Sequence, residues 1–308
     1  MRAPPLTAFA LAAALISCMA GGARTSEPVW LSETVLYSDI ARKRVAPDMR
    51  AYEPAFALWS DGAEKRRWIY VPSGARIDSS DMDHWQFPVG SVAFKEFSRD
   101  GRRIETRMIA RISASVYRMG AFLWNEDESD ARYVPDGQLN ARATEHDVPS
   151  STQCGTCHNG EPGKLLGFSA VQQPGVAAEL LSHRMRARFT PPGNPITARA
   201  LGYLHANCAH CHNPTGSARP DTDMDLRLSV HDRDVASTPA YLSTVGQPLQ
   251  SFARSELNAR VLAGDPKGSA VLQRMLTREA ALQMPPIGTE QVDPSGVAAV
   301  RAWIAAAP

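Results

Sequence analysis

The chain has 308 residues, 44% hydrophobic and 21% charged, the proportions of an ordinary globular protein rather than a fibrous or low-complexity one. Lys and Arg number 33 against 32 Asp and Glu, a formal net charge of +1, and the sequence holds no basic block, so nothing points to nucleic acid. No internal stretch is apolar for long enough to cross a bilayer.

The first 26 residues, MRAPPLTAFALAAALISCMAGGARTS, stand apart. One early charge, Arg2, precedes an apolar run from Ala8 to Ile16 and then small residues, the layout of a secretory leader. A leader over residues 1–23 predicts export and a periplasmic location. Leu15-Ile16-Ser17-Cys18 resembles a bacterial lipobox, which would make Cys18 the lipidated first residue of the mature chain and anchor it to a membrane. The alternative is a leader cut after Ala23.

Residues 27–135 read as a β-rich domain. RRWIYVP is extended, and SVAFKEFSRDGRRIETRMIARI places Asp100-Gly101 between two extended runs, a strong hairpin signal. Past that turn, Ile104, Thr106, Met108, Ala110 and Ile112 share one face, while Arg103, Glu105, Arg107 and Arg111 share the other. Such period-two alternation predicts a half-buried strand. SVYRMGAFLW predicts a third. Upstream, Trp59, Asp61, Lys65, Arg66, Arg67 and Trp68 form a dense charged and aromatic cluster. Its default role is structural; the sharper alternative is a docking face for a redox partner or a contact to a cofactor's propionates.

Composition changes near Asp136. Residues 136–193 are rich in Gly and Pro, with a helix expected from Val176 to Arg188 and a linker at FTPPGNP. From 194 to 308 helical signals dominate. Asn194 caps a helix that Pro195 opens, and Thr197, Leu201, Leu204, Cys208 and Cys211 follow at helical spacing. A second helix is expected from Ala270 to Leu276 and a third after Asp293-Pro294, with Val297, Val300, Trp303 and Ile304 inward. QMPPIGT between them is a proline-stiffened loop.

Four of the five cysteines occur in two copies of one pattern, Cys154-Gly-Thr-Cys157-His158 and Cys208-Ala-His-Cys211-His212. In an exported protein, Cys-x-x-Cys-His is the attachment signature of covalent haem c. Two intervening residues set the thiols one turn apart, and the next residue supplies an imidazole for the iron. The competing readings are structural zinc and two disulfides. The pairs lie much further apart than the roughly 15–20 residues of the common zinc pattern, and neither competitor explains the histidine repeated at the same offset. The expected cofactors are therefore two covalently bound haems, with Cys154, Cys157, Cys208 and Cys211 as attachment points and His158 and His212 as iron ligands. Met284, in the proline-stiffened loop, is the candidate sixth ligand of the second iron, since His/Met ligation is a recurring arrangement. For the first iron the sequence offers His183, Met185, His146, His84 and Met119 without choosing. His205, His210 and His231 read as non-ligands.

From Asn194 to Ala307 the chain resembles a class I cytochrome c domain, through the helix ending in CAHCH, the methionine loop and the final helix with Trp303. LWSDGAEKRRWIYVPSG, WQFPVGSVAFKEFS, IETRMIARI, YLHANCAHCHNP, AGDPKGSAVLQRM and MPPIGT together resemble a family of predicted bacterial dihaem c-type cytochromes. That resemblance implies haem binding and electron transfer with redox partner proteins, a donor and an acceptor. The resulting expectation is an α+β protein, with an antiparallel β-rich N-terminal domain, a loop-rich haem segment and an all-α cytochrome c-like domain. Its function would be one-electron transfer between a periplasmic oxidoreductase and a respiratory acceptor, and the alternative is a peroxidase-like dihaem enzyme whose first iron keeps an open position.

Overall fold

A computed structural model describes residues 27–172, 175–176, 178–184, 187–252 and 256–307. The predicted leader with Cys18, and Met185, lie outside the described residues. A small antiparallel pair, β1 (Tyr37–Asp39) and β2 (Arg44–Val45), precedes a six-stranded sheet. That sheet is built from β3 (Arg50–Ala51), β4 (Glu64–Tyr70), β5 (Val92–Arg99), β6 (Arg102–Arg111), β7 (Tyr117–Trp124) and β8 (Ala131–Tyr133), in sequence order with every neighbour antiparallel. Asp100 and Gly101 both take positive φ, 51° and 75°. Two left-handed residues match the twist of the strands they join, which is why Asp-Gly closes this hairpin.

Alternation decides the two faces of the sheet. Phe94, Met108, Phe122 and Trp124 point one way and pack with Leu31, Leu36 and Tyr37. Ile69 and Ala93 point the other way, against Trp85, Phe87, Leu165 and Phe168. The second face departs from the sequence reading. Glu105, assigned there to a polar outer face, is 0% exposed, because the segment carrying the first cysteine motif and His146 covers that side. A strand with both faces covered cannot be told from a half-covered one by its own alternation.

Among the described residues between Val176 and Arg188 the expected helix is absent. The chain makes a single 3-10 turn at Ala178–Leu180 and then bridges to the sheet region in parallel at Ile77 and Leu181. Ile77 N donates to Leu180 O at 2.7 Å and Ser182 N to Ile77 O at 2.9 Å, so these backbone groups are taken up by the bridge.

The α+β expectation with an all-α, cytochrome c-like C-terminal domain is overturned. Among the described residues the protein is β-rich, with two antiparallel sheets of eight strands in all and five short helices. After α1 (Ser151–His158) come α2 (Pro195–Asn207), α3 (Pro239–Thr244), α4 (Ala270–Met275) and α5 (Pro294–Ala306), of 13, 6, 6 and 13 residues. The long connections are turns and isolated bridges, such as Val245–Val261 and Ala259–Ser269. The physical reason is local. Helices shorter than about 12–15 residues are marginal by themselves, and the intervening Asp, Ser and Thr side chains bond to nearby backbone, as Asp265 does to Lys267 N and Gly268 N, stabilising turns in place of helix.

What helix there is begins where the caps predict. Asn194 Oδ1 accepts from Thr197 N at 3.0 Å, and Asp293 Oδ1 accepts from Ser295 N and Gly296 N at 2.9 and 3.0 Å. Helices α2 and α5 cross closely, with Gly296 directly beneath the Tyr203 ring. Leu201, Leu204, Val300, Trp303 and Ile304 form the centre of a core that also takes in Leu226, Leu272 and Met275.

Candidate functional site

The first motif occupies α1. Ser150 caps it reciprocally: its Oγ accepts from Gln153 N at 3.2 Å, and Gln153 Oε1 accepts from Ser150 N at 2.8 Å. This starts the helix so that Cys154 and Cys157 fall one turn apart on one side and His158 ends it. The His158 Nδ1–H donates to Lys164 O at 2.7 Å, which selects the tautomer with Nε2 unprotonated. Burial holds the ring well below the ordinary histidine value, at about 4. A neutral imidazole oriented through Nδ1 is the form in which histidine binds metals.

The second motif follows α2. Cys208 is the C-cap of that helix, and Cys211 N and His212 N both bond to Cys208 O, at 3.1 and 2.9 Å. Burial also pushes His212 down to about 4, and its buried Nδ1 has no hydrogen-bond partner. Cys208, Cys211 and His212 line one cavity of about 350 Å³. Met284 lines the same cavity. Its loop is pinned at the backbone, Met284 N donating to Arg274 O at 2.9 Å and Met284 O accepting from Arg278 Nη2 at 3.1 Å. The four residues that the sequence nominated for the second iron thus converge on one space, although Met284 is remote from the others along the chain.

The two motifs also touch each other. Gly160 lies against Gly216 and His210 O so closely that a Cβ on it would come within 2.9 Å of both. Thr215 Oγ1 donates to Gly160 O at 2.8 Å. Ligand atoms of Cys157, His210 and Cys211 lie within 4.8 Å of one another. The hydrogen bond to Cys211, and then burial, push the Cys157 thiol up, while the bond from Cys157 draws Cys211 down. None of the four motif cysteines forms a disulfide. His210, read from the sequence as a non-ligand, therefore belongs to a compact Cys/His/Cys group. His205 is turned to a structural task, its Nδ1 accepting from Leu228 N at 3.0 Å.

No family model, curated protein or solved structure matches this chain. Its own geometry has to carry the reading.

Several of the sixth-ligand candidates for the first motif are committed elsewhere. His146 Nε2 lies 2.7 Å from Glu105 Oε1, His84 Nδ1 lies 3.1 Å from Glu161 Oε1, and the ring of His183 bonds Ser182 Oγ at 2.9 Å. Met119 sits on β7 opposite Ile109.

Sequence reasoning missed how the N-terminal part closes the second cavity. Trp59 lines that cavity; its N donates to Asn207 Oδ1 at 2.7 Å and its Nε1 to Gln291 O at 3.2 Å. Asp61, held at φ +51° and 3% exposed, accepts from Glu290 N and Gln291 N at 3.1 and 2.9 Å. The available signal was Trp59-Ser60-Asp61-Gly62, a turn sequence too polar to be core and too aromatic to be simple loop. Lys65 and Arg67, grouped with Trp59 and Asp61 in the sequence, go instead to the sheet face that looks toward the first motif.

Proposed function

We propose that this protein is an exported dihaem c-type cytochrome that passes single electrons between periplasmic redox partners, a donor and an acceptor. One observation carries the reading: Cys208, Cys211, His212 and Met284 converge on a single cavity, with His212 neutral. Cys208 and Cys211 would hold the second haem through thioethers, with His212 and Met284 as axial ligands. Cys154, Cys157 and His158 would hold the first. The haem iron supplies the one-electron chemistry. The chain's part is to keep both imidazoles neutral, to fix the His158 ring through Lys164 O, and to hold Met284 between Arg274 and Arg278. Trp59 and Tyr203 line the second cavity and would pack against the group held there. A leader over residues 1–23 would deliver the chain to the compartment where haem c is attached, and a lipid on Cys18 would tether it to a membrane.

A second reading rests on the Cys157–His210–Cys211 group. Two thiols and an imidazole within 4.8 Å suit a soft or borderline cation such as zinc. One experiment separates the two: full-length chain expressed with haem c maturation machinery, then pyridine haemochrome and metal analysis. Two haems retained after acid–acetone extraction, with no stoichiometric zinc, supports the cytochrome. A colourless protein with bound zinc overturns it. The spin state of the same sample bears on catalysis, because two low-spin irons fit an electron carrier and one high-spin iron fits an open, ligand-binding position.

A further inference from the structure

The sheet face toward the first motif carries an arrangement that folding alone disfavours. Arg67 on β4 is directly opposite Lys95 on β5, and Lys95 is directly opposite Arg107 on β6. Directly paired residues share a face and lie about 5 Å apart, and like charges so placed are destabilising. Lys65 stands one row along. Three adjacent strands thus present a row of three cations with a fourth beside it.

Compensation covers only one end of the row. Arg107 is paired with Glu105, at 2.5–3.0 Å. Phe97, 0% exposed, lies between Lys95 Nζ at 4.8 Å and Arg107 Cζ at 4.4 Å from its ring centre. Among the described residues, the head groups of Arg67 and Lys95 make neither a salt bridge nor a hydrogen bond, and Glu53 is the acid nearest in influence to Arg67. Burial, and then Arg67, Arg107 and Lys65, hold Lys95 well below an ordinary lysine. A cavity of about 450 Å³, lined by Lys65, Arg67, Tyr52 and Glu53, opens at the β4 end.

The row also has a direction. Arg107 acts electrostatically on Cys154 and Cys157, and Lys95 acts on His158. Arg67, two strands further, lies about 10 Å from Arg107 at the usual strand spacing. Cations therefore lead away from the thiols across the sheet. In haem c the thioether-bearing edge lies opposite the edge that carries two propionates.

We propose that Lys95 and Arg67, with Lys65 beside them, form a carboxylate seat that receives the propionates of the haem attached at Cys154 and Cys157. This rests on the cytochrome reading above. The seat would relieve the cation row when filled, and the row would neutralise propionate charge next to the iron. A unit charge at about 10 Å with an effective dielectric near 20 is enough to shift an equilibrium roughly tenfold.

The test uses the full chain matured with haem, comparing Lys95→Met and Arg67→Gln with Arg44→Gln, an exposed cation on β2 that does not line this cavity. Haem is counted by pyridine haemochrome, reduction is followed by spectroelectrochemical titration, and propionate bending bands are read by resonance Raman. With two haems retained, K95M and R67Q should each move one of the two reduction waves downward by about tenfold in the ferric/ferrous ratio, 59 mV for one electron. The propionate bands should shift with it, and R44Q should change neither. Two retained haems with unmoved waves and bands would overturn the seat and leave the cytochrome reading intact. A wild-type chain without covalent haem would overturn the cytochrome reading itself. If K95M loses one haem, Lys95→Arg decides: recovery of the second haem supports the seat, and failure to recover it refutes it.

Discussion

Replacing Glu105 by Gln tests whether the face of the sheet below the first motif is the buried ionic layer described here. Glu105 is 0% exposed, His146 4% and the Arg107 side chain 29%. The carboxylate accepts from Arg107 Nε at 3.0 Å on both oxygens, from Arg107 Nη2 at 2.5 Å, and pairs with His146 Nε2 at 2.7 Å. Gln keeps the shape but removes the charge and leaves Arg107 uncompensated. Breaking a buried pair this way costs about 3–5 kcal/mol. Partial exposure lets Arg107 recover some hydration, which puts the expectation near 3 kcal/mol at the low end of that range. In a chain of this size that lowers Tm by roughly 5 °C, read by far-UV circular dichroism. Replacing both partners with apolar residues, Glu105→Leu with Arg107→Met, should cost less than E105Q alone, because no charge is then stranded. Dependence on pH follows from the carboxyl. Burial pushes it up, but the Arg107 charge and the hydrogen bonds from His146 and Arg107 outweigh burial, so it lies below the ordinary value of 4.5. A lowered carboxyl contributes its full stability above 4.5 and loses it as pH falls through the folded value. The gap between wild type and E105Q should be flat near neutrality and shrink in acid. A Tm change under about 2 °C at pH 7, or a gap that widens in acid, would refute the buried-pair account.

Gly296→Ala places a Cβ 2.1–2.3 Å from Tyr203 Cζ, Cε2 and Oη; the overpacking cost of about 1–3 kcal/mol should exceed the roughly 1 kcal/mol that alanine gains over glycine in a helix, so Tm falls by a few degrees, and a rise would show that α2 and α5 do not cross at this point. Asp61→Ala removes the acceptor for Glu290 N and Gln291 N; hydrogen exchange should quicken at those two amides while the β5–β6 ladder stays protected, and unchanged exchange would mean that Asp61 does not hold the loop. Cys208→Ala with Cys211→Ala should halve the pyridine haemochrome signal, whereas two remaining haems would place attachment elsewhere.

Both motifs, the Asp100-Gly101 hairpin, and the caps at Asn194 and Asp293 were legible in the sequence because each is a local device. A thiol pair at helical spacing, two residues that accept positive φ and a side chain that reaches its own helix terminus act over a few residues. The candidate ligands were legible for the same reason, since Cys-x-x-Cys-His is read within five consecutive positions. What surrounds them was not. Glu105 alternates like a surface residue, and only the chain that folds over it, bringing His146 from 41 positions away, makes it core. His210 reads as a spacer until Gly160 meets Gly216 and brings Cys157 beside it. The helical periodicity after Asn194 suggested an all-α domain, but connections of Asp, Ser and Pro stabilise turns and bridges that no period reveals. Likewise the described residues between Val176 and Arg188 make a 3-10 turn and a bridge with Ile77 in place of the expected helix. The sequence by itself determined which residues could carry chemistry and where helices and hairpins begin. Tertiary structure alone decided which of those residues meet, since convergence on one cavity depends on groups far apart in the chain bonding to one another, as the Asp61 carboxylate does with Glu290 N and Gln291 N.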